Sequence, residues 1–111
     1  MHRQLGPGLL ESAYEQCLCH ELGLSGLHFQ RQVRLPVSYK GTRLDCGYVL
    51  DVVVEEKVVL ELKAVDKLSP IHEAQFLSYL RLGGYHTGLI LNFNAEVLRQ
   101  GIRRLVHNRV S

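Results

Sequence analysis

Residues 49–65 read VLDVVVEEKVVLELKAV, the most apolar segment of the chain, and three charged residues interrupt its two apolar runs. The segment predicts two strands joined by a tight turn at residues 55–57, because a short charged stretch separates two runs of valine and leucine. The charges within the strands are Asp51 on the first, and Glu61 and Lys63 on the second. A small core buries charged groups only when they are compensated, so these three residues are the first candidates for a functional site.

One face of the predicted hairpin is apolar, because side chains alternate along a strand, and it consists of Val52, Val54, Val58, Leu60 and Leu62. Asp51, Glu61 and Lys63 share the opposite face, with Asp51 directly across from Glu61 on the neighbouring strand. Two carboxylates this close repel each other and resist desolvation. We therefore expect positive charge beside them, supplied by Lys63 and by a divalent metal ion.

Magnesium suits a site of this kind, because it takes hard oxygen ligands, often one or two carboxylates, and keeps several waters. A metal ion polarises a phosphoryl oxygen and makes bound water more acidic. A lysine beside it orients the attacking water or stabilises the charge that develops on the phosphate. Carboxylates and an amine on one face of a sheet therefore predict hydrolysis of a phosphodiester.

The composition indicates one ordinary globular domain of 111 residues, with 46% hydrophobic and 22% charged residues, which excludes a disordered or low-complexity chain. The net charge of +2 is too small to indicate nucleic-acid binding by itself, although clustered basic residues remain compatible with it. The sequence contains neither an apolar run of transmembrane length nor a signal-peptide pattern. We therefore predict a cytoplasmic protein without a membrane partner.

The three cysteines suit neither a disulfide framework nor a paired zinc site, because their number is odd and their spacing is wrong. Cys17 and Cys19, followed by His20, resemble half of a metal site. On a helix, however, positions two apart point in nearly opposite directions and cannot share a metal ion. We predict free thiols.

Hydrophobic periodicity and end signals predict three helices. The first covers residues 8–22, with an apolar stripe that consists of Leu10, Tyr14, Cys17, Leu18 and Leu22. The second begins after Ser69 as N-cap, has a proline in its first turn and ends at the glycines at 83–84. The third covers residues 95–110, and its predicted inner side consists of Leu98, Ile102, Leu105 and Val106.

Strand signals complete the order helix, three strands, helix, strand, helix. Alternation over residues 33–39 predicts a strand with one buried face, and Pro36 indicates an edge position because it has no N–H to donate. A turn follows at residues 40–41, before the hairpin. The apolar run YHTGLILN at residues 85–92 predicts the strand between the last two helices.

Asp51, nine further residues and then Glu61-Leu62-Lys63 resemble the signature of the PD-(D/E)XK nuclease superfamily. The segment GLLESAY at residues 8–14 is similar to the GxxExxY pattern of one small prokaryotic family in that superfamily, as are ELKAV, HEAQ, SYLRL and LILNFN further along the chain. The resemblance covers essentially the whole chain. It implies one domain over residues 1–111 with an α/β (α+β), restriction-endonuclease-like core, in the order αβββαβα, whose mixed central sheet is flanked by helices.

This chain departs from the family pattern in two places. Leu50 stands where the superfamily signature has its proline, a position at which that proline is widely lost. Members of the family usually carry more of the first helix upstream of MHRQLGPG. We therefore expect the first helix to be incomplete at its N-terminus.

The resemblance also implies roles for the residues of the hairpin. Asp51 and Glu61 are expected to bind Mg²⁺ or Mn²⁺, together with the backbone carbonyl of Leu62. Lys63 is expected to be the catalytic lysine.

Further roles are implied on the two predicted helices that precede and follow the hairpin. Glu11 is expected to hold a metal-bound water or a second metal ion. Gln75 and Tyr79 match the QxxxY motif of recombination-type nucleases of the superfamily, with Gln75 steering the lysine or the substrate. Helical spacing places His72 on the same face, as a supporting residue.

Three functions from different classes are compatible with the sequence. The first is a Mg-dependent nuclease acting on nucleic acid, DNA rather than RNA, with Arg99, Arg103 and Arg104 of the last helix contacting phosphates. The second is a catalytically inactive module on the same fold that binds nucleic acid or protein. The third is a metal-binding or oligomeric structural protein, for instance a homodimeric scaffold, that associates through an exposed strand edge or an incomplete first helix. Each charged residue taken alone is also compatible with a solvated surface.

Overall fold

The computed structural model of the protein describes residues 11–93 and 101–106, with the backbone alone at residues 36–39 and 43–47. The described residues form two helices and five strands: α1 (Glu11–Leu24), β1 (Phe29–Tyr39), β2 (Thr42–Val54), β3 (Val58–Lys63), α2 (Pro70–Gly83), β4 (Thr87–Asn92) and β5 (Ile102–Val106). The strands make one sheet in the order β1-β2-β3-β4-β5. The predicted start of the first helix, at residue 8, lies outside the described residues.

The sheet is mixed, because β3 and β4 run parallel while every other neighbouring pair is antiparallel. A parallel pair needs a crossover connection, and α2 provides it between β3 and β4. β3 therefore lies in the middle of the sheet, and its charged end lies beside the start of α2. The predicted α+β fold with a mixed sheet flanked by helices is confirmed.

A hydrophobic core lies on each face of the sheet. On one side α1 packs against buried residues of β2, β3 and β4, and this core consists of Tyr14, Cys19, Val52, Leu60, Leu62, Leu91 and Phe93. On the other side α2 packs over a second core, which consists of Leu35, Leu50, Val53, Val59, Phe76, Leu80 and Ile90. No helix within residues 11–93 and 101–106 is long and apolar enough to cross a membrane.

Both predicted turns are present, and both use left-handed backbone conformations. Lys40 and Gly41 have φ values of 49° and 76°, and Glu55 and Glu56 have φ values of 53° and 57°. Two consecutive positive φ angles match the twist of antiparallel strands, so each turn sets the register of its hairpin. In the second hairpin Val54 pairs with Val58, on either side of the predicted turn at residues 55–57.

The ends of α2 follow the local signals in the sequence. Ser69 accepts the His72 N–H and the His72 ring accepts the Ser69 N–H, so the two residues form a reciprocal capping box. Pro70 occupies the first turn, and Gly84 closes the helix with a φ of 75°. These contacts fix the direction of α2 over the charged end of β3.

The predicted closing helix is wrong for residues 102–106, which form β5 and pair antiparallel with β4. Residues 94–100 and 107–111, including Leu98, lie outside the described part of the chain. Without β5 the edge of β4 would have unpaired N–H and C=O groups, and Ile102 and Val106 are β-branched residues suited to pair there. Leu105 packs on the α2 side, whereas Ile102 and Val106 are 41% and 38% exposed, not on an inner face.

The strand also separates the arginines predicted to contact nucleic acid. Arg103 points to the α2 side and forms a salt bridge with Glu73, with 3.1 Å between Arg103 Nε and Glu73 Oε1. Adjacent residues of a strand face opposite sides, so the exposed Arg104 lies on the other face of the sheet. Arg99 lies outside the described residues. The prediction that Arg103 and Arg104 lie on a helix is therefore wrong, since they belong to a strand and face opposite sides of the sheet.

A glycine in β4 lets α2 approach the sheet closely. A Cβ at Gly88 would lie 2.5 Å from the Phe76 ring and 3.0 Å from Leu80. We expect Gly88→Ala to lower the free energy of unfolding by about 1–3 kcal/mol, because both neighbours are core side chains that cannot move freely. Urea denaturation measures the change.

The matched control for this substitution is Gly23→Ala, since Gly23 lies in α1 and a Cβ added there would meet no atom within 4 Å. There we expect no loss, and a gain of up to about 1 kcal/mol from the better helix propensity of alanine. Equal effects at the two positions would contradict the close packing of α2 on β4.

Candidate active site

A pocket of about 190 Å³ lies between the charged end of β3 and the first turns of α2. Its lining consists of Tyr48, Val49, Glu61, Lys63, His72, Gln75, Phe76 and Tyr79. Five of these eight residues were predicted from the sequence to belong to the site. The structure therefore places the strand residues Glu61 and Lys63 and the three predicted residues of α2 around one cavity.

Glu61 is the most unusual residue of the pocket, because it is a carboxylate that is only 9% exposed. Its Oε2 atom has no hydrogen-bond partner within the described part of the chain. Burial, followed by repulsion from Asp51, raises the pKa of Glu61 from its ordinary 4.5 to about 8, and Lys63 only partly opposes this rise. Without a bound cation the site therefore favours the protonated form of Glu61 at neutral pH.

Asp51 lies beside Glu61, one position beyond the last ladder pair of β2 and β3, and the two side chains interact directly. The pairing of β2 with β3 ends at Val52 and Leu60. Beyond this pair the Leu62 N–H donates to Asp51 Oδ2 over 2.8 Å. The N–H and C=O groups of alternate β3 residues point to β2, so the Leu62 carbonyl is directed to the same side as Asp51.

Glu11 binds the next backbone donor on that side of β3. The Ala64 N–H donates to Glu11 Oε1 over 3.0 Å. Glu11 is also close enough to Glu61 to contribute to the rise of its pKa. The first turn of α1 thus lies against the end of β3, and the contact brings a third carboxylate to the edge of the site, although Glu11 does not line the pocket.

The residues of α2 form the opposite wall. Burial, followed by the negative charge of Glu61, raises the pKa of Tyr79. His72 lines the pocket, and its ring also caps the helix by accepting the Ser69 N–H. Gln75 is exposed on the helix surface one turn before Tyr79 and lines the pocket as well.

Two further residues near the site, Tyr48 and Asn92, were not identified from the sequence. Tyr48 of β2 is 38% exposed, lines the pocket and packs on Tyr79 with 5.2 Å between ring centroids. Asn92, at the end of β4, is buried, and its amide accepts the Val65 N–H over 3.1 Å and donates to the Val65 carbonyl over 2.9 Å. A polar residue at the end of an apolar strand was the available signal for Asn92.

The donor chemistry of the site fits a hard divalent cation. Within the described residues, no group of three or more His, Cys, Asp or Glu side chains converges on one point. Mg²⁺ does not require such a group, since it is commonly bound by one or two carboxylates with several retained waters. The observation that favours a cation there is the buried Glu61, whose Oε2 has no hydrogen-bond partner within the described residues and whose carboxyl group lies against Asp51, because two carboxylates held together away from water are costly unless a proton or a cation binds them.

The fold and this pocket define an α+β protein with paired carboxylates and a lysine at the end of a central strand. A family model of the PD-(D/E)XK nuclease superfamily matches residues 1–105, and the chain belongs to that superfamily. Membership indicates a nuclease-like function and a nucleic-acid substrate. The same comparisons find no match among curated proteins or solved structures.

Proposed function

We propose that this protein is a metal-dependent nuclease that hydrolyses phosphodiester bonds, with Mg²⁺ or Mn²⁺ as its cofactor. The observation that carries the proposal is Glu61, a buried carboxylate with an unpartnered oxygen beside Asp51 and in the same pocket as Lys63. A protein gains nothing in stability from such a group. A bound cation would offset both the burial of the charge and the repulsion between the carboxylates.

In this proposal Asp51 and Glu61 hold the metal ion, together with the Leu62 carbonyl. The Leu62 N–H orients the Asp51 carboxylate through the 2.8 Å hydrogen bond. When bound, the ion supplies Lewis-acid activation of the phosphate and of water.

The other groups act on the substrate or support the pocket. The Lys63 ammonium, on the same wall as Glu61, stabilises negative charge on the phosphate or orients the attacking water. Gln75 positions the lysine or the substrate from α2, and Tyr79 supports it from one turn further along. Glu11 orients a water or a second ion at the rim.

We propose DNA rather than RNA as the substrate, because Gln75 and Tyr79 match a motif of recombination-type nucleases, whose substrate is DNA. Cleavage of matched DNA and RNA oligonucleotides, each single- and double-stranded, tests this preference. Faster cleavage of RNA in both forms would contradict it.

The experiment that tests the proposed site is calorimetric titration of Mg²⁺ and Mn²⁺ into the wild-type protein and Asp51→Asn, followed by cleavage assays on the same samples. We expect binding and metal-dependent cleavage by the wild type. The variant should bind at least about tenfold more weakly, since it loses a charged ligand. Asp66→Asn, at an exposed position after β3 that does not line the pocket, is the matched control.

A folded wild-type protein that binds neither ion would contradict the proposal. Binding of nucleic acid without metal and without cleavage would then favour an inactive binding module on the same fold.

A further inference from the structure

At one point along the β1–β2 pair, the inward-facing side chains of both strands switch from one face of the sheet to the other. Phe29 and Val52 belong to the core under α1, whereas Val33 and Leu50 belong to the core under α2. In a regular strand, residues separated by an even number of positions share a face. Each strand therefore switches faces within one residue, and the two residues at the switch are Gln32 and Asp51.

The backbone shows the same irregularity. Arg31 pairs with Val52 and Val33 pairs with Leu50, but Gln32 and Asp51 between them are not paired. Gln32 has a φ of 52°, a left-handed conformation that is uncommon for a residue other than glycine. Such a conformation inside a strand persists only when surrounding contacts stabilise it.

A buried carboxylate on α1 supplies those contacts. Glu15 is 6% exposed. Its Oε1 accepts from Gln32 Nε2 over 2.7 Å, and its Oε2 accepts from Arg31 Nη2 over 2.6 Å and from Arg31 Nε over 3.1 Å. Two successive side chains of β1 thus bind the same acid, although successive residues of a regular strand face opposite sides, and the left-handed conformation at Gln32 accounts for this arrangement.

Asp51, the candidate metal ligand, lies on β2 opposite Gln32, at the same irregularity. Asp51 has no pairing partner on β1 at this position, and its carboxylate accepts the Leu62 N–H of β3. If β1 were regular at residue 32, Asp51 would pair with Gln32. Its side chain would then stand perpendicular to the sheet, as in other paired strands, and would not lie beside the β3 backbone.

We propose that Glu15 and Gln32 position Asp51 for cation binding, by holding β1 in the conformation that turns the Asp51 carboxylate toward Leu62. Neither residue lines the pocket. The inference rests on the proposed role of Asp51 as a metal ligand. The contacts that orient Asp51 are nevertheless formed without a metal ion, so they can be tested separately. It assigns a functional role to a buried acid on the far side of the sheet from the pocket.

The test compares two substitutions that remove the same amide. Gln32→Val favours a regular strand, because a β-branched residue disfavours positive φ. Gln32→Gly keeps the left-handed conformation available. Gln30→Val, two residues earlier at an exposed position of β1, is the matched control.

The first measurement is hydrogen exchange of the Leu62 amide by NMR without metal. We expect faster exchange by about tenfold in Gln32→Val, the effect of losing a hydrogen bond to a charged group. Gln32→Gly and Gln30→Val should stay close to the wild type. The second measurement is Mg²⁺ affinity, which should fall about 10- to 100-fold in Gln32→Val alone.

The outcomes separate this inference from the proposed function. If the wild type binds no Mg²⁺, the proposed metal site fails, and Leu62 exchange by itself decides whether Gln32 positions Asp51. If Gln32→Val matches Gln30→Val in Leu62 exchange, the positioning role is wrong whatever the metal does. Should Gln32→Val not fold, Glu15→Gln replaces it, since it retains the shape and weakens both contacts of the acid. Unchanged Leu62 exchange in that variant overturns the inference.

Discussion

Replacing Lys63 by alanine is expected to reduce the rate of nucleic-acid cleavage by about 10²- to 10³-fold, the usual effect of removing a group that stabilises developing charge. Lys63 lies in the pocket with Glu61 and comes from the end of the central strand. The substitution leaves the apolar contacts of β3 in place. Folding and Mg²⁺ binding should therefore persist, and single-turnover cleavage with saturating metal measures the loss.

Lys67→Ala is the matched control, because Lys67 is exposed, lies four residues later and does not line the pocket. A loss confined to substrate affinity, with the single-turnover rate unchanged, would indicate that Lys63 only contacts the nucleic acid. Wild-type cleavage by Lys63→Ala would remove the lysine from the mechanism.

Glu61→Gln is expected to stabilise the metal-free protein at alkaline pH, although it should abolish cleavage. The pKa of Glu61 is about 8 in the folded protein and about 4.5 when unfolded. Between these values the folded state binds the proton more strongly, so stability falls as the pH rises. The full difference corresponds to about 5 kcal/mol at roughly 1.4 kcal/mol per pKa unit.

Denaturation of both proteins between pH 4.5 and 9 measures this effect. We expect the wild type and Glu61→Gln to differ least at the acidic end, and the variant to be increasingly more stable up to pH 8–9. Glu56→Gln, in the exposed turn of the same hairpin, should follow the wild type. A wild-type stability that is flat or rises over this range would contradict a buried, protonated Glu61.

Addition of Mg²⁺ should make the wild type more stable than Glu61→Gln at alkaline pH. A cation competes with the proton, so it should raise the melting temperature of the wild type more at pH 8 than at pH 5.5. It should have little effect on Glu61→Gln, which lacks the charged ligand. Active sites commonly keep a functional group that lowers the stability of the folded protein.

The elements with strong local signals could be predicted from the sequence. Ser69, Pro70 and the glycines at 83–84 delimit α2 through contacts within a few residues, so their effect does not depend on the rest of the fold. The turn at residues 55–57 likewise sets the pairing of Val54 with Val58.

The last strand could not be predicted in this way. Residues 102–106 have the apolar spacing of a helix, but β4 provides a long-range edge with which they pair. The intrinsic preferences of these residues are too weak to decide between helix and strand. In a short segment, pairing with a neighbouring strand contributes more to stability than intrinsic propensity does. The same reason explains why Arg103 and Arg104 face opposite sides.

By itself the sequence determined the αβββαβ order of the first six elements and the choice of Asp51, Glu61 and Lys63 as candidate residues, since periodicity, caps and residue chemistry are local properties. Only the tertiary structure decided how these groups meet. Strict alternation predicted Asp51 across from Glu61, and the two side chains do interact. Alternation did not predict that the left-handed Gln32, bonded to Glu15 of α1, interrupts the β1–β2 ladder and leaves Asp51 bonded to the Leu62 N–H. The physical reason is that hydrogen bonds between residues distant in the chain can stabilise a backbone conformation that local preference disfavours.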